Sequence, residues 1–393
     1  MTAWHSKVSK WLLVIFFNIR LFFFGGIMKA NGVLLNYEVH RLNSTTTLVA
    51  WAFTLQCALA YILSMSYFIT FNEAPVGGYL LRYFNFRQLA SVGGFLAGLG
   101  YICDGIFVTS VWHIFVFHSL PGIGFGLISL PSYLYLQVHF EDRFPAVMSL
   151  STSFLYIGVA LLPLLISFLT DQYGHSDGLL IFGALMWNCI LCGVTLKPTP
   201  EGTQFLSSLA IRGEVISNSS FHFWDRYLFF FSSPIRHPKY AVCLTLGVAS
   251  VYVYSSWAIF LVSFGESIGF SSVLSIYLST FGGIGGIFGS WAVFMLFYYD
   301  KMNPFNGCFV PLVVNGVSLL TSVCTTTFYF TAFLMFISGF SQGFLYATLC
   351  GFIPVLLCKY HLQQGVAIAF TLQGVSYQLG GLISGESSLA HKF

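Results

Sequence analysis

Two basic side chains, Arg20 and Lys29, stand nine residues apart inside one long apolar run that begins near Trp11. A charge in the hydrocarbon of a membrane is costly enough to mark a substrate or ion pathway by default. Lys29 can attract a carboxylate as a point charge. Alternatively, about 18 residues or roughly 27 Å beyond Trp11, it snorkels to the far interface. Nine steps of about 100° come to half a turn, so Arg20 and Lys29 point to opposite faces of a straight helix and cannot line one cavity together. Arg20 then reads as a buried structural charge with an unassigned partner. Proton-coupled chemistry needs a titratable group facing the pathway, and Asp104, Glu73 and Glu38 are the candidates, each expected near an interface. The runs after Lys239 carry no Asp, Glu, His, Lys or Arg in their cores, because Glu266, Asp300, Lys301, Lys359 and His361 fall in connections.

Other constellations are weak. Cys189 and Cys192 lie one helical turn apart and read as packing, and the nine cysteines form no Cys/His cluster, so no metal or disulfide framework is expected. No phosphate loop, HExxH motif or nucleophile elbow stands in a suitable setting, which points away from an enzyme and from any cofactor.

The elements that must hold these residues follow from composition. Of 393 residues, 56% are hydrophobic and only 7% charged, with a mean hydropathy of +0.80. A soluble domain carries about 25% charged residues, so the solvent here is lipid. A net charge of +3, thinly scattered, excludes nucleic acid as a partner. The apolar runs are continuous rather than alternating, which predicts helices and not a barrel. Eleven spans are expected, beginning near Trp11, Leu48, Gln88, His113, Pro145, Gly178, Tyr240, Ser272, Asn306, Tyr329 and Gln363. The second, running on to Leu81, exceeds one crossing, and Asn72, Glu73 and Pro75 predict a kink or insertion there. The first run is too long for a secretory signal and is expected to stay in the membrane.

With the N-terminus in the cytoplasm, twelve basic residues lie inside, among them Lys7, Arg87, Arg143 and Lys239, against only Arg41 and Lys392 outside. The same topology puts the sequon at Asn43 outside, open to glycosylation, and the one at Asn218 in the cytoplasm. The only long polar connection separates six spans from five. The expected domains are a six-helix bundle over 1–198, a cytoplasmic central loop over 199–239 and a five-helix bundle over 240–393.

Several segments carry a specific resemblance. The block from Pro163 to Pro198, with Asp171, Tyr173-Gly174, Gly178, Asn188-Cys189 and Lys197-Pro198, is similar to the monocarboxylate transporter family of the major facilitator superfamily. So are Gly122-Ile123-Gly124 through Pro131-Ser132 to Arg143 and Pro145, and Phe84 to Arg87 with Gly93-Gly94, although Asn85 stands where the family has Gly and Tyr83 where it has Arg. The match runs with gaps from about Trp11 to Gly385. It implies an all-α major facilitator fold of two bundles with about 11 transmembrane helices, the twelfth missing. It also implies alternating-access transport of small organic monocarboxylates, a plasma-membrane location, and a single-pass immunoglobulin-like glycoprotein partner. Lys29 falls where the family carries a substrate lysine. Phe281 and Gly285 fall in the eighth span where proton-coupled members carry Asp and Arg, so a facilitator is expected, with a wall suited to bulkier or aromatic acids. Arg20, Arg87, Arg143 and Asp171 are expected in structural or gating roles. Gly282 to Gly289 is expected to pack closely, or to bend during the cycle. The alternative is a truncated or inactive relative acting through partner proteins.

Overall fold

A computed structural model describes residues 2–72, 86–140, 143–195, 238–299, 301, 304–356 and 362–390. Among them every regular element is helical, as a chain in lipid requires when each backbone N–H and C=O must be satisfied within its own segment. The helices are α1 (Thr2–Arg41), α2 (Thr46–Asn72), α3 (Phe86–Phe107), α4 (Val111–Phe140) and α5 (Phe144–Tyr173). The sixth, α6, runs His175–Met186, tightens to a 3₁₀ turn at Trp187–Cys189 and resumes at Ile190–Thr195. Then come α7 (Pro238–Ser267), α8 (Ser272–Tyr298), α9 (Pro304–Val323), α10 (Phe328–Leu356) and α11 (Leu362–Ala390). Eleven spans were expected and, among the described residues, eleven helices stand in their places. Nine of the described helices are long and apolar enough to cross a membrane. In α9 the apolar part is the shorter Gly307–Val323.

Helix α1 is longer than expected, at 40 residues. Its outer turn continues past the apolar run because Arg41 pairs with Glu38 at 3.2 Å, one turn back. It stops at Asn43, whose φ of 47° is the left-handed C-cap conformation that Asn tolerates. Leu42 and Ser44 donate back to the Glu38 and Val39 carbonyls at 3.0 and 3.1 Å, satisfying the last turn. Helix α8 starts where Ser271 accepts a hydrogen bond from the Leu274 N–H at 3.4 Å. The suspected kink at Glu73 and Pro75, residues 82–85, the Asn218 sequon and nearly all of the expected central loop lie outside the described residues.

Within α1–α6, α1 packs on α5, α2 on α4 and α3 on both α4 and α6; within α7–α11, α8 packs on α10, α9 on α10 and α7 on α11. The two sets meet where α2 faces α11, α5 faces α8, and α1 faces α7. Helices α8 and α10 approach closely, with Gly339 and Gly343 directly over the backbone of Gly282 and Gly286. With little hydrophobic drive between helices in lipid, such backbone proximity supplies the packing. Outward faces are apolar: Leu320 is 74% and Tyr329 88% exposed, tolerable against hydrocarbon and its interface but not as a water-facing belt.

Candidate functional site

Arg20 sits nine residues, about 13 Å, past Trp11, close to the midplane of a hydrocarbon core roughly 30 Å thick. Its Nη1 donates to Ser129 Oγ of α4. That hydroxyl donates in turn to the Phe125 carbonyl at 2.6 Å, which leaves its lone pairs toward the arginine. Phe17 and Phe24, one turn either side on the same helix face, bring their rings 5.1 and 6.0 Å from the guanidinium carbon. The Arg20 Nε is buried with no hydrogen-bond partner. Among the described residues no carboxylate pairs with it.

This guanidinium forms one wall of a cavity between the two helix sets. Tyr61, Ser129 and Tyr133 line it from α2 and α4, and Tyr346 and Phe370 from α10 and α11. Its volume of about 30 Å³ has room for a water or two, not for an organic acid. None of its lining side chains is acidic. The two sets also touch away from the cavity. Beyond it, Asn36 Nδ2 donates to Glu266 Oε2 at 2.6 Å, and Ser263 Oγ donates to Asn36 Oδ1 at 2.8 Å, tying α1 to α7. Toward the N-terminal end of α5, Tyr133 OH donates to the Cys350 carbonyl at 3.4 Å.

Lys29 does face away from Arg20's neighbours, toward α7. It is 1% exposed, so it does not snorkel; its Nζ donates to the Trp257 carbonyl at 2.9 Å and lies over the Trp257 ring. Here Gly32 of α1 meets the backbone of Ala258 and Ile259, and this close approach seals the ammonium between the helices. Lys29 is not among the cavity's lining residues. Phe281 and Gly285 do not line it either. Phe281 is 38% exposed beside the Phe328 ring, and Gly285 lies against the α10 backbone at Phe336 and Phe340. Gly282 and Gly289 likewise pack on Trp257 and Phe340. The physical reason is rotation about the α8 axis: this glycine face turns toward α10 and α7, not toward the gap between the sets. Arg87, Arg143 and Asp171 are exposed at helix ends, Arg143 as the N-cap residue of α5. Gly174 supplies the turn between α5 and α6 with a φ of +84°, which explains the Tyr173-Gly174 motif.

A second polar cluster joins Asp104, a candidate from the sequence, to residues that the sequence did not single out. His118 of α4 bridges two acceptors: Nε2 lies 2.9 Å from Asp104 Oδ2 of α3, and Nδ1 lies 2.9 Å from Gln56 Oε1 of α2. Asn31 Nδ2 donates to the same Gln56 oxygen at 3.0 Å, and the Gln56 amide donates to Tyr101 OH at 3.1 Å. Asp104 lies one turn before the end of α3, as an interfacial residue would, yet it and His118 are each only 1% exposed. Asp104 is thus sealed by α4 rather than hydrated. Glu38 is also 1% exposed, held by Arg41 and by His175 Nε2 at 2.5 Å.

The chain matches the model of the Major Facilitator Superfamily over residues 13–385. It is 29% identical over 144 residues to monocarboxylate transporter 14 of Homo sapiens, covering 36% of this chain and 28% of that protein. To monocarboxylate transporter 4 of Mus musculus it is 23% identical over 329 residues, covering 82% and 67%. To monocarboxylate transporter 12 of Xenopus laevis it is 23% identical over 325 residues, covering 79% and 70%. The match therefore spans less than a third of the first relative's length and about two thirds of the second's. The crystal structure of a D-xylose-proton symporter superposes with a TM-score of 0.69 at 14% identity, over 95% of this chain and 90% of that one, a likeness of fold.

Proposed function

Because the chain belongs to the Major Facilitator Superfamily, we propose that it moves small organic monocarboxylates across the membrane by alternating access. The observation that carries this reading is the cavity between the two helix sets, shared by α1, α2, α4 and α5 on one side and α10 and α11 on the other, with a cation in its wall. A site at the junction of two helix sets is reached from either face as one set rocks against the other. Similarity to monocarboxylate transporters supports the substrate class. Lys29 serves the anion at entry: when α1 parts from α7, its ammonium loses the Trp257 carbonyl and faces the opened vestibule. A plasma-membrane address and a single-pass immunoglobulin-like partner belong to the same proposal, and co-purification from the surface of expressing cells tests both.

The transport is facilitative, since no acidic or histidine side chain lines the cavity. Proton coupling is the second reading, favoured by one observation: the buried Asp104–His118 pair, with Tyr101 beside it in the same network. Uptake of a labelled monocarboxylate panel into proteoliposomes separates them. Expected is saturable uptake that changes by less than about twofold with an inward proton gradient and falls by roughly tenfold in Lys29→Gln. Gradient-driven accumulation that disappears in Asp104→Asn selects the second reading, and no uptake of any acid selects a non-transporting relative.

Asn43 is exposed at the tip of the α1–α2 turn. Expression in mammalian cells should give a band that a glycosidase shortens by one N-glycan, and Asn43→Gln should migrate there without treatment. An unshifted wild-type band would place this turn away from the lumenal side.

A further inference from the structure

We infer that Arg20 is the group to which the substrate's carboxylate binds, and that the cavity's aromatic wall selects acids with a flat, apolar body. This rests on the transport reading above but assigns the anion site to a different residue from Lys29.

An arginine near the membrane midplane is ordinarily paired, because an uncompensated charge there is costly. Arg20 has one neutral hydroxyl, Ser129, and two ring faces, Phe17 and Phe24. Its Nε donor is buried and unsatisfied. Guanidinium donors accept planar, two-oxygen anions edge-on, and a carboxylate is the planar monoanion that leaves the rest of the ligand free to be apolar. The other lining groups suit that remainder. Tyr61, Tyr133, Tyr346 and Phe370 surround the space with ring faces and edges, and no carboxylate competes for the arginine. The helices after the central segment bring no cation to this place, so Arg20 alone supplies the countercharge, from α1. At about 30 Å³ the cavity is contracted; the acid enters when one side opens, and closure then brings Tyr346 and Phe370 onto its body.

The test uses the full-length purified protein in lipid nanodiscs, with phenylacetate as probe, 2-phenylethanol as its neutral counterpart and acetate as the acid without a ring. Expected for wild type is phenylacetate binding, seen by calorimetry, that exceeds acetate binding and is absent for 2-phenylethanol. Arg20→Gln should weaken phenylacetate by about tenfold or more. Arg20→Lys should fall between, since it keeps the charge but loses the planar fork. Because Gln removes an unpaired buried charge, the ligand-free Tm of Arg20→Gln should equal or exceed that of wild type. A structural arginine would give the opposite pair of results, a lower Tm with affinity unchanged, and that overturns the inference. Wild-type protein that transports the acids while Arg20→Gln keeps the same KM overturns it too and leaves the transport reading standing. Arg20-dependent binding without uptake would sustain the site and sink transport. Neither binding nor uptake by the wild type would reject both.

Discussion

Substitution of His118 by Ala is expected to destabilise the folded protein by about 3–5 kcal/mol, the range for breaking a buried pair by deleting one member. Asp104 has no other hydrogen-bond partner among the described residues, and its Oδ1 already lacks one. Deleting the imidazole strands a carboxyl that is 1% exposed and takes a contact from Gln56, which still has Asn31 and Tyr101. Replacing both members, as Asp104→Leu with His118→Leu, should recover most of the loss, because well-packed apolar side chains of similar volume substitute for a buried pair at little cost. Titration with a denaturing detergent, following the folded fraction, reads the difference. Equal stability of His118→Ala and wild type would show that the pair holds nothing together.

The second large effect lies between α8 and α10. A side chain grown from Gly339 meets the backbone of Gly282, and one grown from Gly343 meets that of Gly286. Backbone cannot rotate aside as a side-chain tip can, so Gly339→Leu should exceed the usual 1–3 kcal/mol of overpacking and prevent accumulation of folded protein. Gly316 is the control. It lies inside α9 with nothing within 4 Å of an added Cβ, and Gly316→Ala should stabilise by roughly 0.5–1 kcal/mol through helix propensity alone. Thermal unfolding of the two variants side by side checks the opposite signs; a tolerated leucine at 339 would mean that α8 and α10 do not touch in the bilayer.

The places of the spans were legible in the sequence because hydropathy and length dictate them: α3 begins at Phe86 against an expected Gln88, and α8 at Ser272 as expected. The opposed directions of Arg20 and Lys29 followed from helical pitch. What Arg20 faces did not, since Ser129 is 109 residues away and pitch says nothing about which helix is the neighbour. The Asp104–His118–Gln56–Asn31 chain was hidden for the same reason. Its members lie on four different helices; Asp104 stands out as a charge in an apolar run, but Asn31, Gln56 and His118 alone are unremarkable polar residues. Phe281 and Gly285 were placed by aligning α8 to a family pattern, and that alignment fixes a position along the helix more firmly than the face it presents. Lys29 was seen as a charge but not as a tie, because its acceptor is the backbone carbonyl of Trp257, which no side-chain motif reveals.

The glycines of α8 divide between the two helix sets. Gly282, Gly285 and Gly289 contact Trp257 and α10, while Gly283 and Gly286 meet Ala160 and Tyr156 of α5. With α10 in backbone contact on one face, α8 also seats Gly283 on the Ala160 backbone of α5, where Thr280 Oγ1 donates to the Ala160 carbonyl at 3.1 Å. From Gly283 to the end of α8 at Tyr298 is roughly 22 Å, so a tilt of about ten degrees on that seat swings the far end by roughly 4 Å. Any such tilt would turn about the contact of Gly283 with Ala160, where backbone meets backbone.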